Sequence, residues 1–490
     1  MCASMNEYMK KSFFAVDLGA TSGRTLLITI TEEGIEQEVL NRFPNHLIQT
    51  GSHFYWDIYE LYRNVLEGLR AAARRKDTEI VSIGIDTWGC DFVMLARDGS
   101  FLRLPYSYRD PQTEDAPKHF FAKVPQKRVY NLTGIQVMNF NSLFQIDTMR
   151  RKYDSALELL DKILFIPDAL SYMLTRAKVC EYTVASTSQL VNAHTRKLEM
   201  ELLAALGLEE RNFGKFVYPG ETIGTLSQEV QQLTGLGAVP VIAVGGHDTA
   251  SAVAAVPASA QGFVYLSSGT WSLMGIEVPQ PIITDETEQL NFTNEGGVER
   301  NIRFLKNICG MWLLERCRQE WEDAPYEIIN AEAAVAEPFR SVINPDDPTF
   351  ANPENMGEAI REYCRRHGEP VPETRGQMAR CIYESLALRY RQVFDKLRLL
   401  APYRLECLHI IGGGSRNEML NQWTANALGV PVIAGPTEAT AIGNVMVQAI
   451  AAGMAEDVKS MRRLIGKSIP LVTYNPQFTE SWNEVLERMK

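Results

Sequence analysis

Residues 13–30 read FFAVDLGATSGRTLLITI. Two apolar runs, 13–18 and 24–30, flank the turn GATSG, and strands joined by small turn residues read as a β-hairpin. Residues 36–43 supply a third strand. Residues 58–75 place Ile58, Leu61, Val65 and Leu69 on one face of a helix. EIVSIGID (79–86) is a further strand that opens into the turn TWGCD, and VPVIAV (239–244) is a buried strand ending at Gly245-Gly246. Strands alternating with helices place the chain in the α/β class.

The opening theme returns at 263–276 as FVYLS, the turn SGT and WSLMGI, which predicts two similar half-molecules, each with its own sheet. A chain of 490 residues is too long for one ordinary core, and the expected domains are 1–244 and 245–490. In the second half, LECLHII (405–411) is a strand running into Gly412-Gly413-Gly414. A helix then follows, with Ser415 and Glu418 as a capping box and Leu420, Trp423 and Ala427 on one face. PVIAGP (431–436) is the next strand and 443–453 the next helix, while 344–356, rich in Pro, Asp and Asn, is a surface loop.

The net charge of −11 excludes nucleic acid and anionic membranes as partners, because both demand clustered positive charge. Eight cysteines without a C-x-x-C pair make neither a zinc site nor a disulfide framework, and read as thiols in a reducing compartment. The start, MCASMNEYMKKS, has no secretory apolar region, and GNVMVQAIAAGMA (443–455) is too short for a bilayer and carries Gln448. A cytoplasmic protein is expected. The residues before Phe13 read as a flexible tail.

Five constellations can carry chemistry. The turn at Asp17–Arg24 offers backbone N–H groups, the Thr21 and Ser22 hydroxyls and the Arg24 fork to phosphate oxygens. Asp17, at a strand end, is placed to hold magnesium through water. The alternative is a plain hairpin. Leu266–Gly275 repeats that logic with Ser267, Ser268, Gly269 and Thr270, or is an ordinary Ser/Gly turn. GGGSRN does not match G-x-G-x-x-G, which disfavours a dinucleotide. VGGHDTASAV (244–253) sets Asp248 at a helix start, either as a cap or as a base that orients a sugar hydroxyl. His247 beside it is a hydrogen-bonding neighbour, with no second histidine at ligand spacing. In GIDTWGCDF (84–92), Trp88 is a ligand wall or core, whereas Trp56, Trp312 and Trp423 read as packing residues.

Taken in order, VDLGATSGR, SIGIDTWGCDFVML, HDTASAV, YLSSGTWSLMG, NEGGVERNIRFLKNICGMWLLE and IIGGGSRNEML resemble the FGGY carbohydrate kinases of the actin-like ATPase superfamily, most closely their L-rhamnulose-phosphorylating members. The resemblance runs from Phe14 to about Gln448. It implies two ribonuclease-H-like domains flanking a deep catalytic cleft, ATP with Mg2+, and phosphorylation of the 1-hydroxyl of L-rhamnulose. L-Fuculose, xylulose, glycerol or an ATP-switched binding function are the alternatives. It further implies nucleotide contacts at Ala20, Thr21, Ser22, Gly23, Arg24, Thr270 and Gly413. Sugar contacts fall on Gly89, His247, Asp248, Thr249 and Asn307, with Asp248 as proton acceptor. Glu315 stands where the pattern has Gln contacting nucleotide, so it is left outside this set. A monomer or small homo-oligomer is expected.

Overall fold

The computed structural model describes residues 10–31, 34–258 and 262–488. Two compact units divide the chain: residues 1–255, 277–304 and 439–469 form one, and 256–276, 305–438 and 470–490 the other. A single cut near 245 does not describe them, because the chain returns twice to the first unit.

The first unit is built on a six-stranded sheet. In chain order its strands are β1 (Lys10–Leu18), β2 (Ser22–Ile30), β3 (Ile35–Pro44), β4 (Thr78–Thr87), β5 (Thr222–Thr225) and β6 (Pro240–Ile242), arranged β5-β6-β4-β1-β2-β3. β1 and β2 are the expected antiparallel hairpin, with Asp17 opposite Arg24, while β4 runs parallel to β1 and sets Asp86 beside Asp17. Lys10, Lys11 and Ser12 belong to β1, with Ser12 opposite Thr29; the rest of the expected tail lies outside the described residues.

The unbroken apolar run FFAV is explained by burial of β1 on both faces. Phe14, Val16 and Leu18 pack with Ile58, Leu61, Val65 and Leu69 of the helix Ile58–Ala73. Phe13 and Ala15 pack with Ala441, Val445 and Ala449 of the helix Ala439–Ala451, which starts four residues earlier than its periodicity predicts. Gln448, the polar residue in that apolar helix, accepts from the Ser82 hydroxyl (2.7 Å) and donates to the Phe14 carbonyl (3.1 Å). Gly84 permits this approach: a Cβ there would lie 2.6 Å from the Gln448 amide nitrogen.

A second, seven-stranded sheet contains β7 (Phe263–Ser268), β8 (Trp271–Val278), β9 (Ile302–Cys309), β10 (Cys407–Ile411), β11 (Val432–Ala434) and β12 (Val472–Tyr474) in the order β9-β8-β7-β10-β11-β12, with the strand Thr293–Gly296 at the edge beside β9; residues 277–304 count with the first unit. The hairpin β7–β8 is antiparallel, β10 lies parallel to β7, β11 parallel to β10, and β12 antiparallel to β11. This repeats the strand order of the first sheet. The helix after Gly412–Gly414 begins at Glu418 and is capped by Asn417, whose side chain accepts from Leu420 N–H, rather than by Ser415. The glycines run into a 3₁₀ turn (Gly413–Arg416) in which the Ser415 hydroxyl donates to the Gly412 carbonyl, moving the helix start along the chain. The seven described cysteines are unbridged, and Cys2 lies outside the described residues. Among the described residues no helix is long and apolar enough to cross a membrane.

Candidate active site

In the first unit, the C-terminal ends of β1 and β4 and the start of the helix Asp248–Ala254 bring Asp17, Asp86 and Asp248 within electrostatic reach of one another. The Arg24 guanidinium donates to Asp17 Oδ2 through Nε (2.9 Å) and Nη2 (2.6 Å), so Arg24 meets a carboxylate of its own hairpin. The turn between them is shaped by Asn45, whose side-chain amide donates to the Gly19 carbonyl (3.0 Å) and whose N–H donates to that of Thr21 (3.0 Å). Ala20 is half-buried, Thr21 and Ser22 are exposed, and Gly23 is packed so closely that a Cβ would strike Phe43 and Leu18.

Asp86 is fully buried; burial first, and then the charge of Asp17, raises its carboxyl well above the usual range. Its Oδ2 accepts from Asn444 (2.6 Å), and its Oδ1 has no partner among the described residues. Sequence reading gave Asp86 no role.

Asp248 is the first residue of its helix, with His247 as N-cap. Its Oδ1 accepts from Thr249 N–H (2.6 Å) and the Thr249 hydroxyl (3.2 Å) and lies 3.4 Å from His247 Nε2. Among the described residues no side chain or N–H engages Oδ2. The side chain is 30% exposed yet ringed by protein. Desolvation, then the charge of Asp17, raises its carboxyl above the usual range despite the two donors of Thr249.

The loop before Asp248 is pinned from below. Glu181, fully buried, accepts from Gly246 N–H (3.2 Å), Val184 N–H (3.0 Å) and Thr183 N–H (2.8 Å), and Thr183 Oγ1 accepts from His247 N–H (3.2 Å). Burial pushes the Glu181 carboxyl up to about 7 despite these donors. Gly89 lies in the turn after β4, where a Cβ would sit 2.7 Å from the Thr187 hydroxyl. Trp88 is buried and tilted against Trp56 at 4.3 Å between ring centroids, and both indoles donate to Asp91 Oδ2 (3.0 and 2.6 Å). Asp91 also accepts from Gln145 and from Tyr108 N–H, and burial raises its carboxyl to about 6.

Thr270, Asn307 and Gly413 belong to the second unit. The exposed turn holding Thr270 is tied to the segment before the helix Trp312–Glu320: Met311 N–H donates to the Gly269 carbonyl (3.0 Å), and Gly310 N–H to that of Thr270 (3.2 Å). Gly310 must be glycine, since a Cβ would fall 2.6 Å from the Gly269 carbonyl oxygen. Gly413 is exposed with open space around it, whereas a Cβ on its neighbour Gly414 would strike the Ser268 side chain. The phosphate-type turn and the glycine turn therefore meet through Ser268. Asn307 is half-buried on β9. Glu315, the departure from the family pattern, is bound by Arg318 Nε at 3.2 Å.

For a divalent cation, Asp17 offers the hard carboxylate oxygen Oδ1, its Oδ2 being held by Arg24. No cluster of three His, Cys, Asp or Glu that could hold a metal occurs among the described residues. A single carboxylate fits magnesium, which retains waters and takes its remaining ligands from phosphates.

The N-terminal domain of the FGGY family of carbohydrate kinases matches residues 12–255 and its C-terminal domain matches 264–452. Rhamnulokinase of Bacteroides thetaiotaomicron is 66% identical over 475 residues, covering 97% of this chain and 98% of that protein. Rhamnulokinase of Bacillus subtilis is 40% identical over 466 residues, covering 95% of each. Among solved structures, ligand-bound xylulose kinase from Lactobacillus acidophilus superposes with a TM-score of 0.82 at 17% identity, over 98% of this chain and 96% of that one. Plasmodium falciparum glycerol kinase with ADP gives 0.81 at 15%, over 98% of both chains. The chain belongs to the FGGY family of carbohydrate kinases.

Proposed function

We propose that this kinase transfers the γ-phosphoryl group of ATP to the 1-hydroxyl of L-rhamnulose, giving L-rhamnulose 1-phosphate and ADP. The near full-length similarity to rhamnulokinases carries the choice of sugar. The geometry of Asp248 supports the chemistry: one carboxylate oxygen is held by donors, and the other is left to accept a proton.

In this reading Asp248 Oδ2 accepts the 1-hydroxyl proton as the sugar oxygen bonds to the γ-phosphorus and the bond to the β,γ-bridging oxygen breaks. Phosphoryl transfer has a loose transition state, so alignment of the hydroxyl matters more than strong basicity. A carboxylate is a sufficient acceptor there. Gly89, His247, Thr249 and Asn307 orient the ketose; Ala20 to Arg24 receive phosphate oxygens, and Thr270 and Gly413 contact the nucleotide. Magnesium, held through Asp17 Oδ1, supplies neutralisation of the β- and γ-phosphate charge when bound.

The test is ADP release from ATP and magnesium with L-rhamnulose, L-fuculose, D-xylulose and glycerol as acceptors. The largest kcat/KM is expected on L-rhamnulose. An equal or larger value on another acceptor overturns the assignment of the sugar.

A further inference from the structure

The chemistry around Asp248 extends to a buried group that neither the phosphate turns nor the sugar contacts account for. Arg303, on β9, is fully buried. Its Nε donates to the Gly296 carbonyl (2.9 Å), and its Nη2 lies 3.0 Å from Glu295 Oε2 and 3.1 Å from His247 Nδ1. Its Nη1 is buried with no hydrogen-bond partner among the described residues. Placing a guanidinium there with N–H groups unpaired is a poor way to stabilise a core, since an apolar side chain of similar volume would fill the space without a desolvation cost.

We propose that Arg303, with Glu295, fixes His247 as the neutral tautomer protonated on Nε2, making the imidazole an obligate hydrogen-bond donor on the side facing Asp248. This rests on the reading of Asp248 as the proton acceptor.

A guanidinium only donates, so His247 Nδ1, facing Nη2, must present its lone pair. The two Nη2 hydrogens match the two acceptors within reach, Glu295 Oε2 and His247 Nδ1. The single proton of the neutral ring then sits on Nε2, 3.4 Å from Asp248 Oδ1. The competing arrangement puts the proton on Nδ1, aimed at Glu295 Oε2 at 3.4 Å. That would set one N–H against another at 3.1 Å and leave the Nε2 lone pair against the Asp248 carboxylate. A cationic ring repeats the first clash beside a buried positive charge. The charged groups around the ring are Asp248, Glu295 and Arg303, and Glu181 binds the Gly246 N–H one residue before it. Arg303 and Glu295 offset one another, the former holding the latter's carboxyl below the usual range against its burial. The ring then presents its N–H on the side of Asp248 Oδ1, which accepts from Thr249, and Oδ2 is left for the substrate. Arg303 and Glu295 are positioning residues in this scheme, acting through His247.

The test uses the full chain labelled with 15N-histidine, with His247→Gln assigning the His247 ring signals among the seven histidines. Without substrate, the ring nitrogen shifts should show the proton on Nε2 and Nδ1 bare. Arg303→Met should mix the two tautomers. It should also lower kcat/KM for the ketose about tenfold to a hundredfold, the range for a group that orients another. Arg303→Lys, which still only donates, should recover part of that loss, and Glu295→Gln should keep the proton on Nε2. A wild-type ring protonated on Nδ1, or a tautomer unmoved in Arg303→Met, overturns the proposal. Because the shifts are read without substrate, that failure is distinct from a wrong choice of sugar or of proton acceptor.

Discussion

The two sheets share one strand order but carry different chemistry at their hairpins. Near the first turn, Asp17 and Arg24 face each other across the strands as an ion pair. At the corresponding place in the second hairpin, one pair back from the last, Ser267 faces Leu273, both uncharged. The first turn is braced by a side chain, Asn45, and the second by backbone N–H groups of the Gly310–Trp312 segment. Negative charge is gathered in the first unit, where Asp17, Asp86 and Asp248 converge, and the charge of Asp17 adds to burial in raising the carboxyls of Asp86 and Asp248. The second unit offers hydroxyls, amides and glycines, which can approach an anionic nucleotide without repelling it. In the proposed reading, one strand order serves two tasks through different turn residues.

Substitutions in the two turns test this division. Arg24→Ala removes a charged partner and frees Asp17 Oδ2. It should cost about 1.5–3 kcal/mol, the range for hydrogen bonds to charged groups, read as a fall of roughly tenfold or more in kcat/KM for ATP. Unchanged kinetics would deny the ion pair any part in binding phosphate. Thr270→Val, in the neutral turn, should cost only about 1 kcal/mol, seen as a severalfold rise in KM for ATP. A loss matching that of Arg24→Ala would erase the contrast.

The smallest effect is on stability. Asp91 has a folded-state carboxyl raised from 3.8 to about 6 by burial, so the fold binds its proton more tightly than the unfolded chain does. Its contribution is fully present below the unfolded value and is lost as the pH rises from 3.8 to about 6. Thermal melts over that window should show a weaker pH dependence in Asp91→Asn than in the parent. An identical slope would mean that Asp91 is ionised throughout.

Much of this was legible in the chain. The hairpins, the helix on Ile58 and Leu61, and Asp248 at a helix start follow from short-range periodicity and turn chemistry. Residues that act through distant partners were not legible. Glu181 reaches Gly246 across 65 residues, and Arg303 reaches His247 across 56, so no local pattern joins them. The usable signal was charge in the wrong place: Glu295 sits in a fully buried strand, Thr293–Gly296, and Arg303 in the buried first half of β9. The return of 439–469 to the first unit was equally hidden, because its helix reads only as apolar. Asn444 and Gln448 were its local clues, polar side chains that donate to Asp86 and to the backbone of β1.

The central claim is that Asp248 accepts the proton while nucleotide binding rests on other residues. Asp248→Asn keeps the shape and removes the basicity, so the decisive measurement pairs its single-turnover rate with its Kd for ATP. The account predicts a rate lower by about 10²–10⁴-fold, the contribution of a positioned base, with the Kd for ATP unchanged. A variant that keeps most of its rate, or loses ATP binding in proportion, would contradict it.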